Sequence, residues 1–271
     1  SWFLAYPICG SIGSSWISKY GYKGTLIRGL WVMIIGLGLF FASSYFTVQF
    51  PDVNIRMGES IIPIGFFIFL LGSFVVGASA TILQVVINPY LTACRVKGTQ
   101  AIQRLAIGGT ANSVGTTIAP YFVTGVVFGG LAMEDIQISQ LMMPFFALMV
   151  TIAVVVFLLM RLSLPDIQGT RVEKGEKLEK SVWSFRHLTL GVCAIFCYVG
   201  VEVCIGANIN LYAIERNCPS PALLATLYWG GMLIGRLVGS SLSRVSPRVQ
   251  LTVTTISAGV LALLAIIFNN P

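Results

Sequence analysis

Long apolar runs alternate with short polar connections along the whole chain. Eight runs combine apolar and small residues: 1–17, 25–48, 62–93, 103–129, 140–162, 188–213, 222–242 and 250–268. An α-helix needs about 20 residues to cross the hydrocarbon core of a bilayer, at about 1.5 Å per residue. All runs except the first reach or approach this length. The pattern therefore predicts eight membrane-spanning helices, of which the first is cut short.

The composition agrees with a membrane protein and excludes an ordinary soluble domain. Of the 271 residues, 56% are hydrophobic and 10% are charged, and the mean hydropathy is +0.85. Soluble domains carry about 25% charged residues. A net charge of +7 also occurs in nucleic-acid-binding proteins, but here the basic residues lie in short connections, where they set membrane topology. We predict a polytopic membrane protein that binds no nucleic acid.

The sequence carries no pattern typical of a catalytic or metal site. Its six cysteines form no C-x-x-C pair, and His187 is the only histidine. Cys193 and Cys197 share a helical face, but a zinc site needs further ligands nearby. H-E-x-x-H, G-x-S-x-G, Walker A and dinucleotide patterns are missing as well. We therefore predict neither an enzyme nor a metal site, and no cofactor.

The positions of Lys and Arg predict which connections face the cytoplasm. All but two of the 17 basic residues follow the first, third, fifth or seventh run, and only Arg56 and Arg216 lie in the other connections. Cytoplasmic loops carry an excess of Lys and Arg, so the chain is expected to enter the membrane from outside. We therefore expect one helix upstream of this sequence and further helices downstream.

A charged connection divides the chain into two predicted halves. Residues 1–162 would form helices two to six, residues 163–187 a cytoplasmic connection, and residues 188–271 helices seven to nine. The mixed charges of residues 171–180 are typical of a solvated linker or an amphipathic surface helix. A partner-binding or gating segment is the alternative interpretation.

Two similar turns support the division into halves. Residues 10–23 and 235–248 both place small residues at the end of a span, together with a basic cluster. Transporters of the major facilitator type contain parallel repeats of this kind. Four basic residues of these cytoplasmic turns are candidates for gating: Lys19, Lys23, Arg236 and Arg244.

One carboxylate, Glu202, lies inside an apolar run. An ionised side chain at the bilayer centre costs about 2.5 to 3.5 kcal/mol, so such a residue is a candidate for function. The alternative is a neutral, hydrogen-bonded structural residue. Glu202 lies about 21 Å along its helix from Leu188, near the midplane. Tyr198, Gly206 and Asn210 recur at four-residue steps from it, and such a seam is typical of a sugar site, where rings stack on pyranoses and polar groups bond hydroxyls.

Further polar residues occur in the predicted spans. Gln84 and Asn88 share one face of their helix, and Gln84 lies about 16 Å inward from Arg95. Asn112 is the larger polar residue of a helix rich in Gly, Thr and Ser. These amides would bond substrate hydroxyls or link helices, and Tyr198 would serve the site or the core. The predicted substrate-binding set is Gln84, Asn88, Asn112, Tyr198, Glu202, Asn208 and Asn210, with Glu202 also the coupling residue.

Five short segments carry a family resemblance: residues 83–90 (LQVVINPY), 103–107 (QRLAI), 182–188 (VWSFRHL), 198–203 (YVGVEV) and 228–236 (YWGGMLIGR). Together they resemble the fucose/galactose/glucose:proton symporter family of the major facilitator superfamily. The resemblance extends over helices two to nine of that fold. It implies an all-α transporter with two pseudo-symmetric six-helix halves, incomplete in this sequence.

The resemblance also implies a function and shows two departures. A relative of this kind would import a hexose of the glucose, galactose or fucose class with a cation, expected to be a proton, by alternating access. It would be a monomer in the lipid bilayer of the plasma membrane, the inner membrane in bacteria. The fucose-transporting branch has a carboxylate at the position of Gln84, and relatives have polar residues where Ala106 and Gly109 stand here. A non-transporting sugar sensor and an exporter of another metabolite or drug remain alternatives.

Overall fold

The described part of the chain is almost entirely helical. The computed structural model describes residues 2–57, 60–94, 96–121, 137–165, 167, 181–216, 221–242 and 245–268. These residues form α1 (Ala5–Gln49), α2 (Ile64–Ala93), α3 (Ala101–Tyr121), α4 (Met142–Arg161), α5 (Arg186–Glu215), α6 (Pro221–Ser241) and α7 (Pro247–Phe268). Short 3-10 turns occur at Trp2–Leu4, Ile138–Leu141 and Val182–Ser184. The predicted all-α architecture is confirmed.

Helix α1 contains the first two predicted spans. A straight helix of its 45 residues would be about 68 Å long, more than twice the thickness of a hydrocarbon core of about 30 Å. Gly21 interrupts it with φ 71° and ψ 178°, a conformation that side-chain-bearing residues rarely adopt. The connection predicted between residues 17 and 25 is therefore a sharp break at one glycine.

A β-hairpin precedes α2. The hydrophobic pattern predicts that the third span begins at residue 62, which lies within this hairpin. Strand β1 (Asn54–Met57) pairs antiparallel with β2 (Ser60–Pro63), so that Ile55 faces Ile62 across the ladder. Residues 62 and 63 thus belong to a strand and not to the span. The physical reason is Pro63, because the residue before a proline is disfavoured in the α region. The helix consequently begins at Ile64.

Five helical segments of the described chain are long and apolar enough to cross a membrane: Trp2–Gln49, Ile64–Ala93, Ile138–Arg161, Arg186–Ile209 and Pro247–Phe268. Helices α3 and α6 have 21 residues each, and 7 residues of each helix are glycine, serine or threonine. Such helices pack against protein more readily than against lipid. The chain is a multi-pass membrane protein.

The first compact unit comprises Ser1–Arg95 and Tyr121–Lys174 and is built around the contact between α1 and α2. A Cβ added to Gly36 would lie 2.5 Å from Cγ2 and 2.9 Å from the backbone nitrogen of Val76. The Ser79 hydroxyl donates to the Gly29 carbonyl oxygen at 2.7 Å, and the Ser43 hydroxyl donates to that of Gly65 at 2.7 Å. Small residues that admit a neighbouring backbone, and hydroxyls that bond across it, are how helices associate in lipid.

Helix α4 packs against α1 in the same unit. The ring centroids of Phe40 and Phe145 lie 5.2 Å apart. At the other end of α4, Lys23 Nζ donates to the carbonyl oxygens of Met160 at 3.3 Å and Leu162 at 2.6 Å. A cation that bonds the last carbonyls of a helix stabilises that end. Lys23 therefore anchors α4, whereas Lys19 is exposed, with Nζ 5.1 Å from the centroid of the Tyr20 ring.

The second compact unit comprises Val96–Pro120 and Gly175–Pro271 and contains α3, α5, α6 and α7. Helices α5 and α6 are neighbours within it. Apart from the partly buried Gln250, the described side chains of α7 are exposed. Most of the predicted connection at residues 163–187 lies outside the described residues, and α5 already begins at Arg186. The boundaries of the two halves stay a prediction.

Candidate functional site

The second unit brings the predicted acid together with an aromatic residue and a basic residue. Tyr198 and Glu202 lie one turn apart on α5, and Arg236 approaches them from α6. The Glu202 carboxylate and the Arg236 guanidinium both lie close enough to the Tyr198 phenol to influence it electrostatically. Glu202 is half-buried, whereas Tyr198 is 54% exposed. We call Tyr198, Glu202, Tyr228 and Arg236 the polar cluster.

Two aromatic residues of α6 complete the cluster and its surroundings. The Tyr228 hydroxyl donates to the backbone carbonyl oxygen of Glu202 at 2.9 Å. The Tyr228 and Trp229 rings meet edge to face, with centroids 5.2 Å apart and an interplanar angle of 76°. A Cβ added to Gly206 would lie 2.8 Å from Cζ2 of Trp229. Because glycine has no side chain at residue 206, the indole packs directly on α5, one turn from Glu202.

Arg236 connects the cluster to α3. Its Nη1 donates to the Gly109 carbonyl oxygen at 3.1 Å and to the Ser113 hydroxyl at 2.5 Å. Its Nη2 lies 3.7 Å from the Met232 sulfur. Ser113 is only 1% exposed. A fixed positive charge is therefore held against α3 by a carbonyl and a buried hydroxyl, and it also reaches the α5 face that carries the acid.

Sequence spacing explains why α5 presents these groups together. Residues four apart lie on the same helical face, which places Tyr198, Glu202 and Gly206 along one stripe. On α6, Tyr228, Met232 and Arg236 follow the same interval. The arrangement offers a carboxylate, two phenol hydroxyls, a guanidinium and an indole ring on the facing surfaces of two helices. Such groups bond and stack on polyhydroxylated ligands.

The side chains of Asn112 on α3 and Asn208 on α5 take no part in the described contacts of the polar cluster. Asn112 is exposed, next to the buried Ser113. Asn208 is exposed, and its Nδ2 donates to the Cys204 carbonyl oxygen of its own helix at 2.8 Å. The backbone of Asn210 continues α5, but its side chain lies outside the described residues, as does all of Arg244.

In the first unit, Gln84 has a partner that the sequence pattern did not predict. Its Nε2 lies 3.4 Å from the Tyr6 hydroxyl, within hydrogen-bonding distance. Asn88, one turn further along α2, is exposed and is followed by Pro89 inside the helix. Gln84 and Tyr6 thus form a polar pair between α2 and α1.

The comparisons with known proteins identify the family. The model of the Major Facilitator Superfamily matches residues 1–271. The chain belongs to this superfamily. A glucose/galactose transporter of Brucella abortus is 30% identical over 249 residues, which cover 89% of this chain and 56% of that protein. The L-fucose-proton symporter of Escherichia coli is 24% identical over 276 residues, which cover 92% of this chain and 59% of that protein.

A solved structure confirms the fold of this superfamily member. The crystal structure of the Major Facilitator Superfamily transporter FucP in the outward conformation matches with a TM-score of 0.71 and 21% identity, over 91% of this chain and 62% of that chain. The chain therefore spans less than two thirds of the length of each of these proteins. The resemblance and the incomplete fold expected from the sequence are confirmed, and proteins of this superfamily are transporters, not enzymes.

For this superfamily member, the sequence pattern misses three residues of these contacts. Arg236 lies inside α6, which ends at Ser241, as the predicted span 222–242 requires, and its role in gating stays a prediction. The missed residues are Tyr6, Ser113 and Tyr228. For Tyr228 the only sequence signal was the YWGG segment, and for Ser113 it was the Gly-, Thr- and Ser-rich composition of α3.

Replacing Gly206 by Ala is expected to leave the protein less stable to heat than the Gly200→Ala variant, and to shift its tryptophan fluorescence. The new Cβ would meet Trp229 at 2.8 Å, and because the contact is with the far edge of a ring, the indole can pivot at a cost of about 1 kcal/mol. Gly200→Ala on the same helix is the matched control, since nothing lies within 4 Å of its Cβ position. Equal melting temperatures and spectra for both variants in detergent would contradict this packing.

Proposed function

We propose that the protein containing this chain imports a hexose across the membrane in symport with a proton and alternates between outward-facing and inward-facing states. The names of the relatives support this proposal, since they include a glucose/galactose transporter and an L-fucose-proton symporter. The observation that carries it is the polar cluster, in which Tyr198 lies one turn from Glu202 on α5 and the Tyr228 hydroxyl of α6 bonds the backbone carbonyl oxygen of Glu202.

The chemistry of the cluster suits a sugar. The Glu202 carboxylate accepts hydrogen bonds from two sugar hydroxyls, and bonds to a charged group are the stronger kind. Trp229, packed on Gly206, offers an aromatic face for the apolar side of a pyranose. Asn112 and Asn210 remain candidates for further hydroxyl contacts.

We assign proton coupling to Glu202 on chemical grounds. A coupling residue must take up and release a proton within the membrane, and carboxylates in membrane helices serve such relays. Gln84 lies on α2 in the first unit. Its side-chain amide carries no proton that titrates in the physiological range. Gln84 stays a sequence-based candidate for substrate binding.

Uptake of radiolabelled hexoses into proteoliposomes tests the proposal. With the full-length protein, we expect uptake of glucose, galactose or fucose that an inward-directed proton gradient accelerates, and proton influx when the hexose is added outside. Liposomes without protein are one control, and a protonophore that dissipates the proton gradient is the other. The proposal fails if purified, monodisperse protein shows neither hexose uptake nor hexose-driven proton flux.

A further inference from the structure

Two basic side chains of α1 gather around one tyrosine beside the break at Gly21. The guanidinium carbon of Arg28 lies 3.5 Å from the centroid of the Tyr20 ring, and Nζ of Lys19 lies 5.1 Å from the same centroid. Lys19 and Arg28 are both exposed, and Tyr20 is half-buried. We call Lys19, Tyr20 and Arg28 the basic surface.

The helix itself holds the guanidinium of the basic surface in place. Arg28 Nη1 donates to the Gly24 carbonyl oxygen at 3.1 Å. A Cβ added to Gly24 would lie 3.1 Å from Cβ of Tyr20 and 3.2 Å from Nη1 of Arg28, so the glycine leaves room for the guanidinium over the ring. A guanidinium carries five N–H donors, and the bond to Gly24 uses one of them. Arg28 can therefore donate to a ligand without leaving its position.

The described part of the first unit places no carboxylate beside these charges. Asp52 is the one acid of this unit that the structure describes, and it follows the end of α1 at Gln49. From Arg28 to Gln49 the helix rises about 32 Å, close to the thickness of a hydrocarbon core. Asp52 is therefore at the opposite side of the membrane from the basic surface.

Further cations lie at the same end of the unit as the basic surface. Lys23 Nζ bonds the carbonyl oxygens of Met160 and Leu162, and Arg161 stands between these two residues in the chain. Basic connections of this kind face the cytoplasm, where the membrane leaflet carries anionic lipids. A lipid headgroup is thus an anion that these side chains meet directly at the membrane boundary.

We propose that the basic surface binds the headgroup phosphate of an anionic phospholipid in the cytoplasmic leaflet. The phosphate oxygens accept hydrogen bonds from the Arg28 guanidinium, whose planar fork suits two of them, and from the Lys19 ammonium. Because the basic surface adjoins the break between two spans, the acyl chains stay in the bilayer beside α1. This lipid site belongs to the first unit, and it does not depend on the proposed transport function.

A lipid site and a set of charges that only fixes topology differ in what they require of Tyr20. Charges alone attract anionic lipids whatever ring lies next to them. The proposed site also needs the ring on which the guanidinium rests. Tyr20→Leu keeps both charges and removes the ring, so this variant separates the two cases.

The test measures lipid binding to the full-length protein in detergent by native mass spectrometry. The probes are phosphatidylglycerol, which is anionic, and phosphatidylcholine, which is zwitterionic. We expect phosphatidylglycerol to bind at least about tenfold more tightly. Lys19→Gln and Arg28→Gln should each weaken its binding about fivefold, and the double variant about 30-fold, as expected for basic residues at an anionic membrane surface. Tyr20→Leu should weaken it about two- to fivefold, the effect of losing an exposed cation–π contact.

Arg216→Gln is the matched control for these variants. Arg216 is also exposed and also lies over a tyrosine, 5.5 Å from the centroid of the Tyr212 ring, but it belongs to a connection that the topology places outside. Its substitution should leave phosphatidylglycerol binding at the wild-type level. Lys23 is kept in every variant because it anchors α4.

Three results would overturn the proposal. The first is equal binding of the two lipids, and the second is wild-type phosphatidylglycerol binding by the double variant. The third is wild-type binding by Tyr20→Leu, because charge alone then attracts the lipid. Excess inorganic phosphate distinguishes a lipid from a free anion: bound phosphatidylglycerol should persist in its presence, whereas its displacement would assign the surface to free phosphate and overturn the lipid site.

Discussion

Replacing Glu202 by Gln is expected to abolish the acceleration of hexose uptake by a proton gradient, while hexose counterflow without a gradient persists. The substitution keeps the shape of the side chain, but it replaces one acceptor oxygen by an NH2 donor and removes the group that we propose to carry the proton. The bond from Tyr228 is made to the backbone carbonyl oxygen of residue 202, so the contact between α5 and α6 survives. Hexose affinity should fall about 10- to 100-fold, as expected for the loss of a hydrogen bond to a charged group.

Glu215→Gln is the matched control for this experiment. Glu215 ends the same helix and is exposed, so its substitution removes one carboxylate of α5 away from the polar cluster. Both variants are compared with the wild type for uptake with and without the gradient, and for hexose binding by calorimetry. If Glu202→Gln retains full stimulation by the gradient, the proton is carried elsewhere and Glu202 serves binding at most.

The features that depend on single-helix spacing were predictable from the sequence. Apolar runs of about 20 residues are required by the bilayer, and they predict the helices that the structure contains. The interval of four residues places Tyr198 and Glu202 on one face for the same reason. Neither prediction needs knowledge of how one helix meets another.

The features that depend on contacts between helices were not predictable in this way. Ser113 and Tyr6 become partners of Arg236 and Gln84 only through the rotation of one helix against its neighbour. Apolar residues such as Ile62 also suit a strand or a helix equally, and Pro63 was a local signal against a helix at that point. The sequence pattern does not show which face of one helix packs against which face of its neighbour. These helix–helix contacts determine the candidate site.

We expect Gly36→Ala to lower the free energy of unfolding by about 1–3 kcal/mol, because α1 packs closely on α2 and overpacking a core is destabilising. The added Cβ would meet both Cγ2 and the backbone nitrogen of Val76, at 2.5 Å and 2.9 Å. Rotation of the valine relieves the first contact but not the second, so the two helices must separate. Without this clash the change would be favourable, since Ala forms helix better than Gly by about 1 kcal/mol.

Gly10→Ala isolates that helix-propensity effect, because Gly10 lies on the same helix and nothing is within 4 Å of its Cβ position. Thermal unfolding in detergent should therefore give a lower Tm for Gly36→Ala and an equal or higher Tm for Gly10→Ala. Adding Val76→Ala to Gly36→Ala removes Cγ2 and should recover only part of the loss, since the backbone contact persists. If Gly36→Ala has the same Tm as Gly10→Ala, α1 and α2 do not need the close approach at residue 36. The hydroxyl bonds of Ser43 and Ser79 then hold the two helices together instead.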